Sequence, residues 1–187
     1  MLRDVYVKAG VIDTGSYLTT INELCDQLPA LRPELLWYVT ANLRSRVDLA
    51  GVTKVLVEEE KGAPIGVAFS LMSGLPLAMA RHYPYDFPSP RVDFSSEYDR
   101  STLHVNGIEA GDRVCIVDDT LSTGGTVSAL IQAVERQGAK VEHFAVVVEK
   151  EGNGGRERLE GEFGIPVHSL LTVRITAGQV EFVEGIC

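Results

Sequence analysis

Hydrophobic and polar positions follow two rhythms along this chain. Short unbroken apolar runs, rich in β-branched residues, read as strands covered on both faces. They predict strands at Lys54–Val57, Pro76–Ala80, Val114–Asp118, Val141–Glu149 and Val167–Val173. Between them apolar residues recur at helical spacing. Leu35, Leu36, Val39 and Leu43 predict a helix over Glu34–Arg46, and Val127, Leu130, Ile131 and Val134 one over Val127–Gln137, with Gly138 placed to end it. Two more helices are expected over Ile65–Ser73 and Arg156–Phe163. Strands alternating with helices imply an α/β fold, a mainly parallel twisted sheet flanked by helices. The residues to about Gln27 carry no clear period and are expected to form a small irregular element over the sheet. The chain then divides into a small N-terminal hood, about 1–33, and a core, 34–187, of a single domain. Tyr83–Arg100, with its prolines, serines and acidic residues, reads as an exposed loop, and Glu151–Gly155 as a flexible turn.

Composition narrows the picture without changing it. A chain of 187 residues with 45% hydrophobic and 23% charged residues suits one soluble globular domain. No apolar run approaches the ~20 residues of a membrane span. The first residues lack the apolar core of a secretory signal, so a cytoplasmic location and no membrane partner are expected. A net charge of -9 argues against a nucleic-acid partner, yet leaves room for a local basic pocket that takes a polyphosphate. Cys25, Cys115 and Cys187 are odd in number and far apart, and the histidines are scattered, which suggests neither a disulfide framework nor a zinc cage.

The chemistry concentrates in Val114–Thr126. An apolar strand runs into Asp118 and Asp119, passes through Thr120, Leu121 and Ser122, and reaches Thr123-Gly124-Gly125-Thr126 at the mouth of a helix. Free backbone N–H groups and the helix macrodipole favour an anion at such a mouth, and the glycines let the backbone come close to it. The two carboxylates can accept from sugar hydroxyls. Together they suit a phosphorylated ribose. No Lys follows the glycines as in a Walker A loop, and the spacing is not that of the dinucleotide fingerprint.

This stretch resembles the phosphoribosyl-diphosphate (PRPP) motif of type I phosphoribosyltransferases, in which an apolar strand, two acidic residues, three variable positions and Thr-Gly-Gly-Thr follow in order. The resemblance implies that family's fold. It also implies that Asp118 and Asp119 hold the ribose hydroxyls, that Thr123, Gly124, Gly125 and Thr126 bind the 5-phosphate, and that Thr120, Leu121 and Ser122 belong to the same PRPP site. Glu60, Lys61 and Gly62 are similar to the pyrophosphate loop of purine phosphoribosyltransferases, with Lys in place of the usual Arg. In that family the peptide before the basic residue is often cis, which places the expectation on Glu60–Lys61. Arg81 matches the Arg of an Arg-Lys pair that contacts phosphate groups, and His82 replaces its Lys. Ser96, Glu97 and Tyr98, in a stretch running on to Val105, resemble the catalytic flexible loop of adenine phosphoribosyltransferases, where the Glu is a proposed proton carrier. Lys150 resembles the Lys that donates to the purine 6-oxygen in xanthine and archaeal hypoxanthine/guanine-type enzymes.

The resemblance therefore implies a purine phosphoribosyltransferase that uses Mg2+, held by Asp118 and Asp119 mainly through PRPP and water. Its partners would be PRPP and a purine base, a homodimer being usual in the family. Lys150 places a 6-oxopurine slightly ahead, because an ammonium donates to an oxygen and not to an amino group; the Glu97-Tyr98 pair points to adenine. A PRPP-sensing regulator is the alternative of another class, but no DNA-binding segment or basic surface is evident. An orotate enzyme would want a basic flexible loop, and a PRPP synthase a longer chain of two similar halves.

Overall fold

The computed structural model describes residues 1–13, 15, 17–82, 91–95 and 100–186. In chain order the elements are α1 (Leu2–Lys8), β1 (Gly10–Asp13), β2 (Leu18–Ile21), α2 (Glu23–Asp26), α3 (Pro33–Arg46), β3 (Lys54–Glu58), α4 (Ala63–Ser73), β4 (Leu77–Arg81), β5 (Arg91–Ser95), β6 (Arg100–Asn106), β7 (Arg113–Leu121), α5 (Gly125–Arg136), β8 (Lys140–Lys150), α6 (Gly155–Glu162), β9 (Val167–Thr176) and β10 (Gln179–Gly185). β3 to β10 form one sheet in the order β10-β9-β8-β7-β3-β4-β6-β5, and β1 and β2 form a separate hairpin. The middle of the large sheet, β9-β8-β7-β3-β4, is parallel. β10 and β6 are added antiparallel on its two sides, and β5 pairs with β6. The α/β architecture expected from the alternating pattern is the one observed.

Burial along β7 shows why its sequence is apolar without a break. Val114 and Ile116 point into a cluster with Leu130, Ile131 and Val134 of α5, while Cys115 and Val117 point the other way, into a cluster with Leu35, Val39 and Leu43 of α3. β8 behaves likewise, with Phe144 and Val146 on one side and Ala145 and Val147 on the other. A strand covered on both faces has no position where a polar side chain would reach water.

Several expectations need correction. The N-terminal residues are not irregular: α1, the β1–β2 hairpin and α2 are regular, and Leu2, Val5, Tyr6, Leu24 and Cys25 are buried in the same cluster as α3. The chain over Tyr83–Arg100 is not all loop, since it contains β5; Leu103 and Val105 of β6 are core residues and not part of a surface loop. β7 does not stop at Asp118 but pairs with β8 as far as Leu121 and Glu149, so Asp119, Thr120 and Leu121 belong to the strand as well. β4 spans Leu77–Arg81 and so includes Arg81. β10 had no apolar run to announce it. Among the described residues no helix is long and apolar enough to cross a membrane.

Candidate active site

β3, β4, β7 and β8 run parallel, so their C-terminal ends, at Glu58, Arg81, Leu121 and Lys150, lie at one end of the sheet. Chain order reverses direction between β3 and β7, and ligands bind open α/β sheets in the crevice at such a switch point. A cleft of about 300 Å³ opens there. Its walls include Glu58, Glu60, Lys61, His82, every residue from Asp118 to Thr126, and Lys150. Residues from both ends of the chain complete it: Tyr6, Thr19, Thr20 and Cys25 on one side, Val173 and Ile175 on another.

The loop after β7 is shaped for close approach. Gly124 has φ 74° and precedes the first turn of α5, whose open N–H groups face the cleft mouth. No side chain caps this helix, so a bound anion would meet its dipole directly. Gly62 is packed against the acidic pair: a Cβ there would lie 2.5 Å from Asp118 Oδ1. This contact brings the loop after β3 to the end of β7, uniting the two sequence motifs.

The cleft is strongly acidic on one side. Asp119 is buried and accepts at Oδ2 from the Thr120 hydroxyl at 3.0 Å, while Asp118 Oδ1 accepts from the Asp119 backbone N–H at 2.8 Å. Burial, then the neighbouring Asp119 and Glu58, push the Asp118 carboxyl well above the ordinary carboxylate range. Burial also raises Glu58, against the pull of its hydrogen bond to His82. These are carboxyls set close together, awaiting positive charge or donors. Glu58, Glu60 and His82 place one ligand atom each within 4.8 Å of one another.

Three basic side chains here lie against carboxylates. Lys61 Nζ lies 2.7 Å from Asp26 Oδ1, and His82 Nε2 lies 2.6 Å from Glu58 Oε1 and 3.6 Å from Glu60 Oε1. Arg81 is 3.0 Å from Glu59 Oε2 and does not line the cleft. Lys150 lies in the cleft wall and is only 8% exposed, where a strand-end lysine is ordinarily solvated. Behind it, Glu149 accepts a forked pair of hydrogen bonds from Arg156, Nη2 to Oε2 at 2.6 Å and Nε to Oε1 at 2.9 Å, which fixes the strand end.

The structure thus brings together Asp118 to Thr126, Glu60, Lys61 and Lys150, sets Gly62 behind them, and keeps Arg81 at the edge. Ser96, Glu97 and Tyr98 lie outside the described residues. Among the described residues the single cis peptide is Leu28–Pro29, so the expected cis bond at Glu60–Lys61 is absent.

A phosphoribosyl transferase domain model matches residues 38–161. This chain belongs to the phosphoribosyltransferase family. It is 37% identical over 185 residues to the hypoxanthine/guanine phosphoribosyltransferase of Methanothrix soehngenii, covering 98% of this chain and 95% of that one. It is 36% identical over 178 residues to HGPRTase-like protein 3 of Haloterrigena turkmenica, with 95% and 93% covered. Among solved structures, the adenine phosphoribosyltransferase of Rhodothermus marinus superposes with a TM-score of 0.75 at 28% identity, over 91% of this chain and 97% of that one. The family match begins after Tyr6, Thr19, Thr20 and Cys25 and ends before Val173 and Ile175. Sequence reasoning missed these six phosphoribosyltransferase wall residues, because hydroxyl, thiol and apolar side chains carry no motif.

Proposed function

We propose that this phosphoribosyltransferase transfers the 5-phosphoribosyl group of PRPP to a 6-oxopurine, hypoxanthine or guanine, in the cytoplasm, releasing pyrophosphate and forming a nucleoside monophosphate. One observation supports this reading above the rest: the hydroxyl-lined helix mouth, the acidic pair and a buried lysine face one cleft. The N–H groups of Thr123 to Thr126 would hold the 5-phosphate at the start of α5. Asp118 and Asp119 would accept from the ribose hydroxyls and stabilise the positive charge that grows on the sugar as pyrophosphate departs. Lys61, released from Asp26, would meet the pyrophosphate, with Gly62 keeping that loop against Asp118. Arg81 would join only if it left Glu59.

The donor set beside this acidic wall is oxygen-rich and fits a hard divalent cation such as Mg2+, which Asp118 and Asp119 would hold mainly through PRPP and water. Bound there, the ion would offset the charge of the leaving group. Glu97 is assigned proton transfer to or from the base, and Ser96 and Tyr98 loop closure, which excludes water from the reactive sugar. Lys150 would donate to the 6-oxygen of the base. The names of the archaeal relatives favour hypoxanthine or guanine. A second reading, adenine, draws on the Glu97-Tyr98 pair and on the likeness to the R. marinus enzyme.

Exposed Trp37 on α3, with Val67 and Leu71 on the neighbouring α4, supports pairing of two copies through these helices, to be checked by sedimentation. The decisive assay measures pyrophosphate release from PRPP and magnesium with each nucleobase in turn. Turnover is expected with hypoxanthine or guanine; turnover with adenine alone would replace the first reading by the second. Lys150→Ala should reduce kcat/KM for the 6-oxopurine at least ~10-fold more than for adenine, on the order of 1.4 kcal/mol of lost discrimination. Equal losses would refute the assignment of Lys150.

A further inference from the structure

α2 is only four residues long, yet two consecutive side chains on it reach two different parts of the cleft, the β3–α4 loop and the end of β7. Asp26 meets Lys61 of the β3–α4 loop at 2.7 Å, and its other oxygen accepts from the Asn22 backbone N–H at 2.9 Å. Cys25 Sγ lies 3.5 Å from Thr120 Oγ1 at the end of β7 and 3.5 Å from the Tyr6 hydroxyl on α1. The direction of the resulting chain follows from counting protons. Thr120 has one hydroxyl proton and gives it to Asp119 Oδ2 at 3.0 Å, so its oxygen accepts from the Cys25 thiol. The thiol proton is then spent on Thr120, and the Cys25 sulfur accepts from Tyr6. Three of the four members are buried, Tyr6 at 2% exposure, Cys25 at 5% and Asp119 at 6%, and Thr120 is half-buried. Burial pushes the Tyr6 phenol and the Cys25 thiol up, which keeps each protonated as a donor. Asn22 caps α2 by accepting from the Leu24 and Cys25 N–H groups at 2.9 and 3.0 Å, and so fixes where the thiol stands.

We propose that Cys25, backed by Tyr6, is a positioning residue for PRPP: through the Thr120 hydroxyl it holds the Asp119 carboxylate in the orientation that accepts the ribose hydroxyls. The inference rests on the assignment of Asp119 to the ribose. It gives the N-terminal segment a role in sugar binding, although that segment carries no part of the motif. An Asp119 carboxylate without this support would keep its charge but lose its aim, so affinity for PRPP would fall while affinity for the base would not.

The test is calorimetric binding of PRPP with magnesium and no base, alongside KM for each substrate. Cys25→Ala should weaken PRPP binding about three- to tenfold, the worth of one neutral hydrogen bond, and leave the KM of the base within about twofold. Cys25→Ser, which restores a donor and an acceptor, should return to within about twofold of the parent protein. Tyr6→Phe keeps the ring and removes only the outer link, so it should cost about two- to fivefold and covers the case in which Cys25→Ala does not fold. In an Asp119→Asn background the Cys25 and Tyr6 substitutions should have no further effect on PRPP binding, because the group they aim is gone. Losses of the same size in that background, a silent Cys25→Ala, or a Cys25→Ser as weak as Cys25→Ala would each overturn the inference while leaving the assignment of Asp119 intact. Unchanged PRPP binding by Asp119→Asn alone would instead remove the ribose assignment, and the positioning role with it.

Discussion

Gly155→Ala tests how tightly the loop between β7 and α5 is held from behind. Gly155 opens α6, and a Cβ there would lie 2.2 Å from the Ser122 carbonyl oxygen and 2.9 Å from Leu121 Cδ1 and Cγ, well inside the 3.4 Å at which ordinary contact begins. The Leu121 side chain can turn aside, but the carbonyl belongs to the backbone between Asp119 and Gly124 and moves only with it. The approach is mutual, since a Cβ on Gly124 would lie 3.4 Å from the Gly155 carbonyl oxygen, and Asn153 adds a 2.6 Å hydrogen bond to the Ser122 hydroxyl. Overpacking costs typically ~1–3 kcal/mol, and a clash with backbone belongs at the upper end, about 2–3 kcal/mol. Gly161, exposed on the same helix, has nothing within 4 Å of its Cβ position. Gly161→Ala should therefore stabilise by up to about 0.5–1 kcal/mol through helix propensity alone. Urea unfolding reads both, as midpoint shifts at constant slope. Calorimetry with PRPP and magnesium then shows whether the displaced loop has lost its grip, with Gly155→Ala expected to bind more weakly and Gly161→Ala normally. A Gly155→Ala protein as stable as its parent would refute the packing argument. A destabilised protein with full PRPP affinity would show that the strain never reaches the helix mouth.

Asp118→Asn should abolish transfer and, without magnesium, raise the melting temperature near pH 8. The Asp118 carboxyl is pushed up in the folded state by burial and then by Asp119 and Glu58, so the stability tied to its proton is full below the usual value of about 4 and is lost as pH rises through the shifted one. The advantage of the Asn variant should shrink as pH falls toward that lower value; a variant less stable than its parent at pH 8 would contradict this. Arg156→Ala leaves the Glu149 carboxylate, 8% exposed, without its forked donor and should cost about 2 kcal/mol in urea unfolding, a value discounted because Arg156 itself is partly solvated. Arg156→Lys should recover less than half of that loss, since an ammonium cannot bond both oxygens in one plane, and complete recovery would argue for simple charge pairing.

The parallel centre of the sheet was legible because strands covered on both faces leave unbroken apolar runs, as at Val114–Val117. β5 and β10 were not, since at the sheet edges packing against a neighbour selects the strand and composition does not. The N-terminal elements escaped for a related reason. α1 is seven residues long and α2 four, too short to display a helical period, and each is held by the cluster it helps to bury. At the site, Asp118 to Thr126 could be read because spacing alone places those groups at a strand end and a helix mouth. Lys150 needed the structure to show that a strand-end lysine is buried. The pairing of Lys61 with Asp26, and of Arg81 with Glu59, joins residues far apart in sequence and left no local trace.

The six wall residues drawn from near the two termini mean that the cleft is closed by chain the motif never reaches. Residues 38–161 supply the acidic pair and the helix mouth, whereas Tyr6, Thr19, Thr20, Cys25, Val173 and Ile175 reach the cleft from outside that span. Substitutions at Thr19, Thr20, Val173 and Ile175 would reshape the cleft and leave Asp118 to Thr126 in place. Exchanging the first 27 residues between such enzymes would move Tyr6 and Cys25 as well, so affinity for the activated sugar should change with them.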